Sequence, residues 1–462
     1  MNDLSAAAAV RSASATWPGK VVIAGLGKTG LSCARYLRAQ GCTLAIVDTR
    51  AQPPLLAQAR AELPDVALLP GGLDPAVLTA AEAVVVSPGL PLAHPALQAA
   101  ARAGIPLLGD VELFARAATA PVIAITGSNG KSTVTTLLGL MARAAGLRVA
   151  VGGNLGEPVL DLLDPTAALY VVELSSFQLE TTHSLRTRAA TVLNLSPDHL
   201  DRYPDLATYA AAKARIFSHC ETAIVNRDDP AAAALAAEVA TQIGFTLGAP
   251  ASERDYGIEV QAGERWVCRG RQALLPVAAV RLPGTHNLAN ALAALALAET
   301  CALPVPLLQD VLASFPGLPH RSQLVAEHAG VRWINDSKGT NPGATIAALT
   351  GLVPDPARGR AVLIAGGDGK GADFSDLAAP VRDRARAVVL IGRDAPRLEQ
   401  VLAGLVPLAR AADMEDAVQA AARLAQPGDC VVLSPACASF DMFNDYQHRG
   451  LAFAAAVARW VR

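Results

Sequence analysis

Ile125-Thr126-Gly127-Ser128-Asn129-Gly130-Lys131-Ser132-Thr133 is the stretch that decides the fold. The apolar run from Pro121 to Thr126 ahead of it reads as a buried strand. Behind it, Val134, Leu137, Leu138 and Met141 have the spacing of a helix that stops near Gly146. A glycine-rich turn from a strand into a helix N-terminus aims backbone N–H groups at an anion, and the helix dipole adds to that field. Lys131 can then reach terminal phosphates, and the Ser132 hydroxyl can ligate the Mg2+ that travels with a nucleotide. The spacing is Gly-x-x-Gly-Lys-Ser. The ordinary phosphate loop, Gly-x-x-x-x-Gly-Lys-Ser, would need glycine where Ile125 stands. The competing reading is a plain strand-to-helix turn.

Upstream, Val21-Val22-Ile23-Ala24 reads as a strand, followed by Gly25-Leu26-Gly27-Lys28-Thr29-Gly30 and a helix through Ala39. A second strand, Thr43 to Val47, ends in Asp48-Thr49-Arg50, with the acidic residue 18 positions past the last glycine. That is a dinucleotide-type fingerprint: a phosphorylated ligand meets a helix N-terminus, and the ligand itself is not specified. A turn with no ligand remains open, as does a nicotinamide-dependent oxidoreductase. A further strand, Ala83 to Val86, runs into Ser87-Pro88-Gly89.

Downstream, Tyr170-Val171-Val172-Glu173-Leu174-Ser175-Ser176 sets a carboxylate inside an apolar strand, where it is expected to meet a metal or a cation, or else a structural ion pair. The strand Thr191 to Leu195 leads into Ser196-Pro197-Asp198-His199-Leu200-Asp201-Arg202-Tyr203, which places His199 after a strand C-terminus. By spacing alone Lys213, in the helical stretch Leu206 to Phe217, is a solvated lysine. The last third alternates strands at 331–334, 362–365, 388–391 and 431–433 with helical runs, the rhythm of another mostly parallel sheet. Three of these strands end in polar clusters: Asn335 to Asn341, Gly366 to Gly371, and Ser434 to Ser439.

The 462 residues predict about three α/β domains, taken as 1–117, 118–317 and 318–462. An apolar content of 52% with 17% charged residues fits a well-buried chain. The net charge of −2 gives no electrostatic case for nucleic acid or anionic membrane. Seven cysteines without a Cys-x-x-Cys pair read as reduced thiols of a cytoplasmic protein. Residues 1–19 read as a loose leader, no apolar run reaches the ~18 residues of a membrane span, and no obligate protein partner is indicated.

Taken together, the motifs resemble those of the Mur ligase family. They are Thr126 to Thr133, Glu173 to Glu180, Asp198 to Tyr203, His286-Asn287 with Asn290, Leu318 to Arg321, Asn335 to Lys338, Gly366 to Lys370, and Ser434 to Ser439. The short phosphate loop is the form typical of that family. The resemblance implies a Rossmann-like UDP-binding domain, a central P-loop ATPase-like domain, and a C-terminal Rossmann-like domain for the incoming amino acid. It implies an ATP-dependent ligase that adds D-glutamate to UDP-N-acetylmuramoyl-L-alanine through an acyl phosphate. A sibling ligase for another amino acid, or a folate polyglutamylating ligase, is the alternative.

By resemblance Lys131, Glu173, His199 and Lys213 are catalytic. Ser132, Glu173, His199 and Lys213 serve two Mg2+ ions, with Lys213 carbamylated. ATP would meet Gly127, Ser128, Asn129, Gly130, Lys131, Ser132, Thr133, Asn290, Arg321, Asp336 and Lys338. The UDP substrate would meet Lys28, Thr29, Asp48, Thr49, Arg50, Gly89, Asn154 and His199. D-glutamate would meet Thr340, Lys370, Ser439 and Tyr446. The chain departs from some relatives at Tyr446, where they carry phenylalanine, and at Ser322-Gln323 after Arg321.

Overall fold

The computed structural model describes residues 17–461; most of the stretch read as a leader lies outside them. Three sheets follow one another along the chain. The first has five parallel strands in the order Ala67–Pro70, Thr43–Asp48, Lys20–Ala24, Ala83–Val86, Leu107–Leu108. Its central strand is buried because helices cover both faces, which is why it reads as an unbroken apolar run.

The second sheet has nine strands. Six form its parallel core, in the order Gln242–Phe245, Cys220–Asn226, Thr187–Val192, Val122–Thr126, Leu169–Glu173, Val149–Gly153. Beyond Gln242–Phe245, Tyr256–Gln261 joins in parallel and opens an antiparallel meander with Glu264–Arg269 and Gln272–Pro276 that extends the edge. Helix Lys131–Ala144 lies on this sheet against the long helix Thr285–Glu299, whose Ala/Leu-rich surface is buried on nearly every side.

The third sheet runs Gln323–His328, Val331–Asn335, Cys430–Leu433, Ala361–Gly366, Ala385–Ile391, Leu408–Arg410. It is parallel except at the first edge, where Gln323–His328 is antiparallel. The two outer strands escape the apolar-run signal because they are half exposed and carry polar residues. Among the described residues no helix is long and apolar enough to cross a membrane.

Candidate active site

In the second sheet Val122–Thr126 lies between Leu169–Glu173 and Thr187–Val192. The chain reverses its winding direction there, so the C-terminal ends of three strands deliver the phosphate loop, Glu173 and the Asn194–His199 loop to one crevice. Gly127 and Gly130 both have positive φ, +148° and +85°. A Cβ on Gly130 would also lie 2.3 Å from the Asn290 side-chain oxygen, so glycine there permits both the turn and the approach of the long helix. Asn194 brackets the loop. Its Oδ1 accepts the Asn129 N–H at 2.8 Å and its Nδ2 donates to the Asn129 carbonyl at 3.1 Å.

Lys131 donates to the carbonyls of Gly127 and Ser128 at 2.8 and 3.0 Å. Burial lowers its pKa, Glu173 and Asp198 oppose that shift, and Arg321 adds to it. Glu173 is 2% exposed; it accepts the Ser132 hydroxyl at 2.6 Å and the Asn154 side-chain amide at 2.6 Å. Among the described residues no lysine or arginine bonds Glu173 directly; the nearest bonded cation is reached through Ser132, where Arg321 Nη2 donates to Oγ at 2.7 Å. Arg321 comes from the third unit, so two units share one hydroxyl.

Lys213 is not solvated. It is 1% exposed, with Nζ 3.0 Å from the Gly127 carbonyl, 3.3 Å from Thr126 Oγ1 and 4.5 Å from the centre of the Tyr209 ring. Burial holds its pKa well below the ordinary lysine value, and Lys131 depresses it further. His199 sits at φ +56° with its ring 4.8 Å from that of Phe177. Its Nε2 is 3.8 Å from Asp198 Oδ2, and burial lowers its pKa. Arg202 lies over the Phe177 ring at 4.1 Å. It donates to the carbonyls of Pro88 and Leu90 at 2.6 and 3.0 Å, joining this loop to the first unit.

A cavity of about 280 Å3 opens beside the phosphate loop. It gathers Asn129, Gly130, Thr133 and Asn290 from the middle unit with Arg321, Asp336 and Lys338 from the third. His286 on its wall is pushed down to about 4 by burial, so it is neutral at pH 7. Asp336 accepts the Ser322 N–H at 2.9 Å and the Ser434 hydroxyl at 2.7 Å, and burial raises it to about 6. Lys338 lies 4.1 Å over the Tyr446 ring. Burial, then Arg321 and Lys131, bring it down to about 8.

The remaining candidates fall into two further places. At the first sheet's switch point Asp48 accepts the Leu26 N–H at 2.7 Å, the Arg50 N–H at 2.8 Å and the Arg50 guanidinium, which pulls it down to about 2. Lys28 and Thr29 begin the adjoining helix, Thr49 follows Asp48, and Gly89 lies in the loop that Arg202 grips. In the third sheet, Asp368 and Ala438 pair by reciprocal backbone bonds of 3.0 and 2.8 Å, which joins the Lys370 loop to the Ser439 loop. Thr340 follows on the neighbouring strand's loop.

Four contributors were not among the candidate site residues read from the sequence. Asn194 meets Asn129, Arg202 meets Pro88 and Tyr209 meets Ser128, which lie 65, 114 and 81 residues away. Buried Arg449 donates to the Ser337 and Cys437 carbonyls at 2.8 and 3.1 Å, tying two of the third unit's loops together. Its place near the start of the last helix gave no hint of that.

Ser132 Oγ and Glu173 supply adjacent hard oxygen donors, the type Mg2+ prefers. Among the described residues no cluster of three or more His, Cys, Asp or Glu forms a metal cage.

Residues 19–109 match the Mur ligase MurD-like N-terminal domain, 125–298 the Mur ligase middle domain, and 320–437 the Mur ligase glutamate ligase domain. The chain is 56% identical over 437 residues to the UDP-N-acetylmuramoylalanine–D-glutamate ligase of Nitrosococcus oceani, covering 94% of this chain and 96% of that protein. It is 52% identical over 438 residues to the enzyme of the same name from Methylococcus capsulatus, covering 95% and 94%. The solved structure of MurF ligase from Thermotoga maritima in complex with ADP shares the fold, with a TM-score of 0.59 at 18% identity, covering 96% of each chain.

Proposed function

The chain belongs to the Mur ligase family, and from that premise we propose that it joins D-glutamate to UDP-N-acetylmuramoyl-L-alanine at the expense of ATP, a step of peptidoglycan precursor synthesis in the cytoplasm. The observation that carries this reading is Lys338. Its ammonium lies 4.1 Å over the Tyr446 ring and lines the same cavity as Asn129 and Gly130 of the phosphate loop.

In this scheme the substrate's L-alanine carboxylate attacks the γ-phosphorus of ATP, forming an acyl phosphate as ADP leaves. The amine of D-glutamate then attacks the acyl carbon, a proton is lost, and phosphate departs. The first step brings two anions together, so it needs positive charge and alignment. Lys131, Arg321 and the loop N–H groups supply charge around the phosphates. Glu173 with Ser132, and His199 with Lys213, would hold two Mg2+ ions, whose chemistry here is to neutralise the phosphate oxygens. Asn290 and Asp336 line the nucleoside end. Lys28, Thr29, Asp48, Thr49, Arg50 and Gly89 take the UDP moiety, and Asn154 the sugar-peptide portion. Thr340, Lys370, Ser439 and Tyr446 take D-glutamate. The working units are 1–117, 118–317 and 318–462.

Lys213 would act as a carbamate. CO2 reacts with a neutral amine, and the buried, cation-flanked setting of Lys213 favours that form. The expected result is that Lys213→Ala is nearly inactive, that acetate or formate restores part of the rate, and that Lys213→Arg fails. A fully active Lys213→Arg enzyme overturns this role.

The test of the function is phosphate release from ATP with UDP-N-acetylmuramoyl-L-alanine and a panel of D- and L-amino acids. Release that depends on D-glutamate is expected. Preference for another amino acid assigns the chain to a sibling ligase, and ATP binding without release removes the chemistry.

A further inference from the structure

Asn341 stands at the end of the Asn335–Asn341 cluster, just before Pro342, with no part in the scheme above. The structure places it at the N-cap of helix Pro342–Leu352, where its Oδ1 accepts the Ala344 N–H at 2.8 Å. A cap needs only that one acceptor, and serine, threonine or aspartate supplies it as well. The side chain nevertheless uses its whole amide. Nδ2 donates to Asp198 Oδ2 at 2.9 Å, 143 residues away in the chain. It also forms a longer amide pair with Asn129 of the phosphate loop, 3.4 Å in each direction. Two donors and two acceptors are therefore used on a residue only 5% exposed. Asparagine alone caps the helix through its oxygen while presenting N–H groups to a carboxylate.

Asp198 is the partner that gives this contact meaning. It precedes His199, its Oδ1 accepts the His199 N–H at 2.9 Å, and its Oδ2 takes the Asn341 amide. Asn129 is bracketed in turn by Asn194. One side chain of the third unit thus touches both loops of the middle unit that flank the crevice. Arg321–Ser132 crosses the same boundary, but Arg321 belongs to the proposed nucleotide machinery.

We propose that Asn341 is a positioning residue that latches the amino-acid-binding unit onto the middle unit, fixing the Asp198–His199 loop as the units seat against each other. The inference rests on the ligase reading. Its scattering test does not, because domain seating with a non-hydrolysable ATP analogue needs no turnover.

Three variants separate the latch from the cap. Asn341→Ser keeps the cap and loses the bond to Asp198. Asn341→Asp keeps the cap and sets two carboxylates against each other. Asn341→Asp combined with Asp198→Asn restores a donor and an acceptor in reversed order. With the analogue bound, X-ray scattering is expected to show wild type and the double variant compact, and the two single variants more open. In turnover, kcat/KM for D-glutamate is expected to fall ~10-fold in Asn341→Ser, the scale of a lost charge-assisted bond. It should fall further in Asn341→Asp and recover in part in the double variant. Asn341→Ser as compact and active as wild type overturns the latch, as does a double variant no more compact than Asn341→Asp. A wild-type protein that closes on the analogue but releases no phosphate with D-glutamate counts against the ligase reading and leaves the latch standing.

Discussion

Two glycine-rich turns in this molecule run from a strand into a helix N-terminus, and they are completed in different ways. The first, Gly25 to Gly30, is finished by residues of its own sheet. Asp48 braces it through the Leu26 N–H, and a Cβ on Gly30 would lie 1.9 Å from the Gly25 carbonyl oxygen. The second, Gly127 to Ser132, is finished by Asn194 and Asn290 of the middle unit and by Arg321 and Asn341 of the third. The lesson is one of assembly. The first turn is braced within its own sheet, while the second has its full set of donors only when two units meet. A site built that way can keep water from a reactive acyl phosphate until every substrate is in place.

Lys131→Ala strikes the assembled cradle hardest. With one transition-state cation removed, kcat should fall by ~100-fold or more, about 3 kcal/mol, while the unfolding curve stays near wild type. Near-normal kcat in the folded variant would break the comparison at its centre.

Lys370→Ala probes the loops proposed for the amino acid. Loss of a charge-assisted contact to a substrate carboxylate is worth roughly 1.5–3 kcal/mol. KM for D-glutamate should therefore rise at least ~10-fold, with KM for ATP little changed. The opposite pattern would move Lys370 into the nucleotide site.

Asp48→Asn addresses the self-contained cradle. It weakens the brace to Leu26 and Arg50, so KM for the UDP substrate should rise several-fold, a loss of about 1 kcal/mol, and ATP binding should not change. If ATP binding weakened equally, the two cradles would be coupled and the contrast between them would fail. Because the native carboxyl is pulled down to about 2, its contribution to stability is present above the ordinary carboxylate range and is lost as pH falls toward 2.

The smallest effect concerns the junction between the two cradles. Asp110 begins the helix leading from the first sheet to the second. It is buried, bonded on one oxygen to Gln178 Nε2 at 2.9 Å and unpartnered on the other, and burial raises it to about 6. Between about pH 4 and 6 the folded state binds more protons than the unfolded state, so this group costs stability as pH rises through that window. At pH 8 the full cost is present. Asp110→Asn should raise the unfolding temperature at pH 8 by a few degrees and flatten its change between pH 4 and 6. Calorimetry at several pH values decides this, and an unaltered pH profile would remove Asp110 as the source.

The sequence by itself determined whatever depends on neighbours in the chain. The apolar runs gave the central strands of all three sheets. The glycines and Lys131 marked the phosphate loop, because a tight turn into a helix N-terminus is a local property of a few backbone angles. Glu173 was singled out by the cost of a carboxylate in an apolar strand. Tertiary structure alone decided that Glu173 satisfies that cost through Ser132 and Asn154, not through a direct ion pair. It also turned Lys213 from a surface lysine, as its spacing read, into a buried one, and gave Arg449 and Asn341 partners more than a hundred residues away. A hydrogen bond is directional and short, so a polar side chain's role is set by which atoms the fold brings within about 3 Å. Periodicity reports only which face is apolar, and it carries no information about which distant carbonyl or carboxylate will be there.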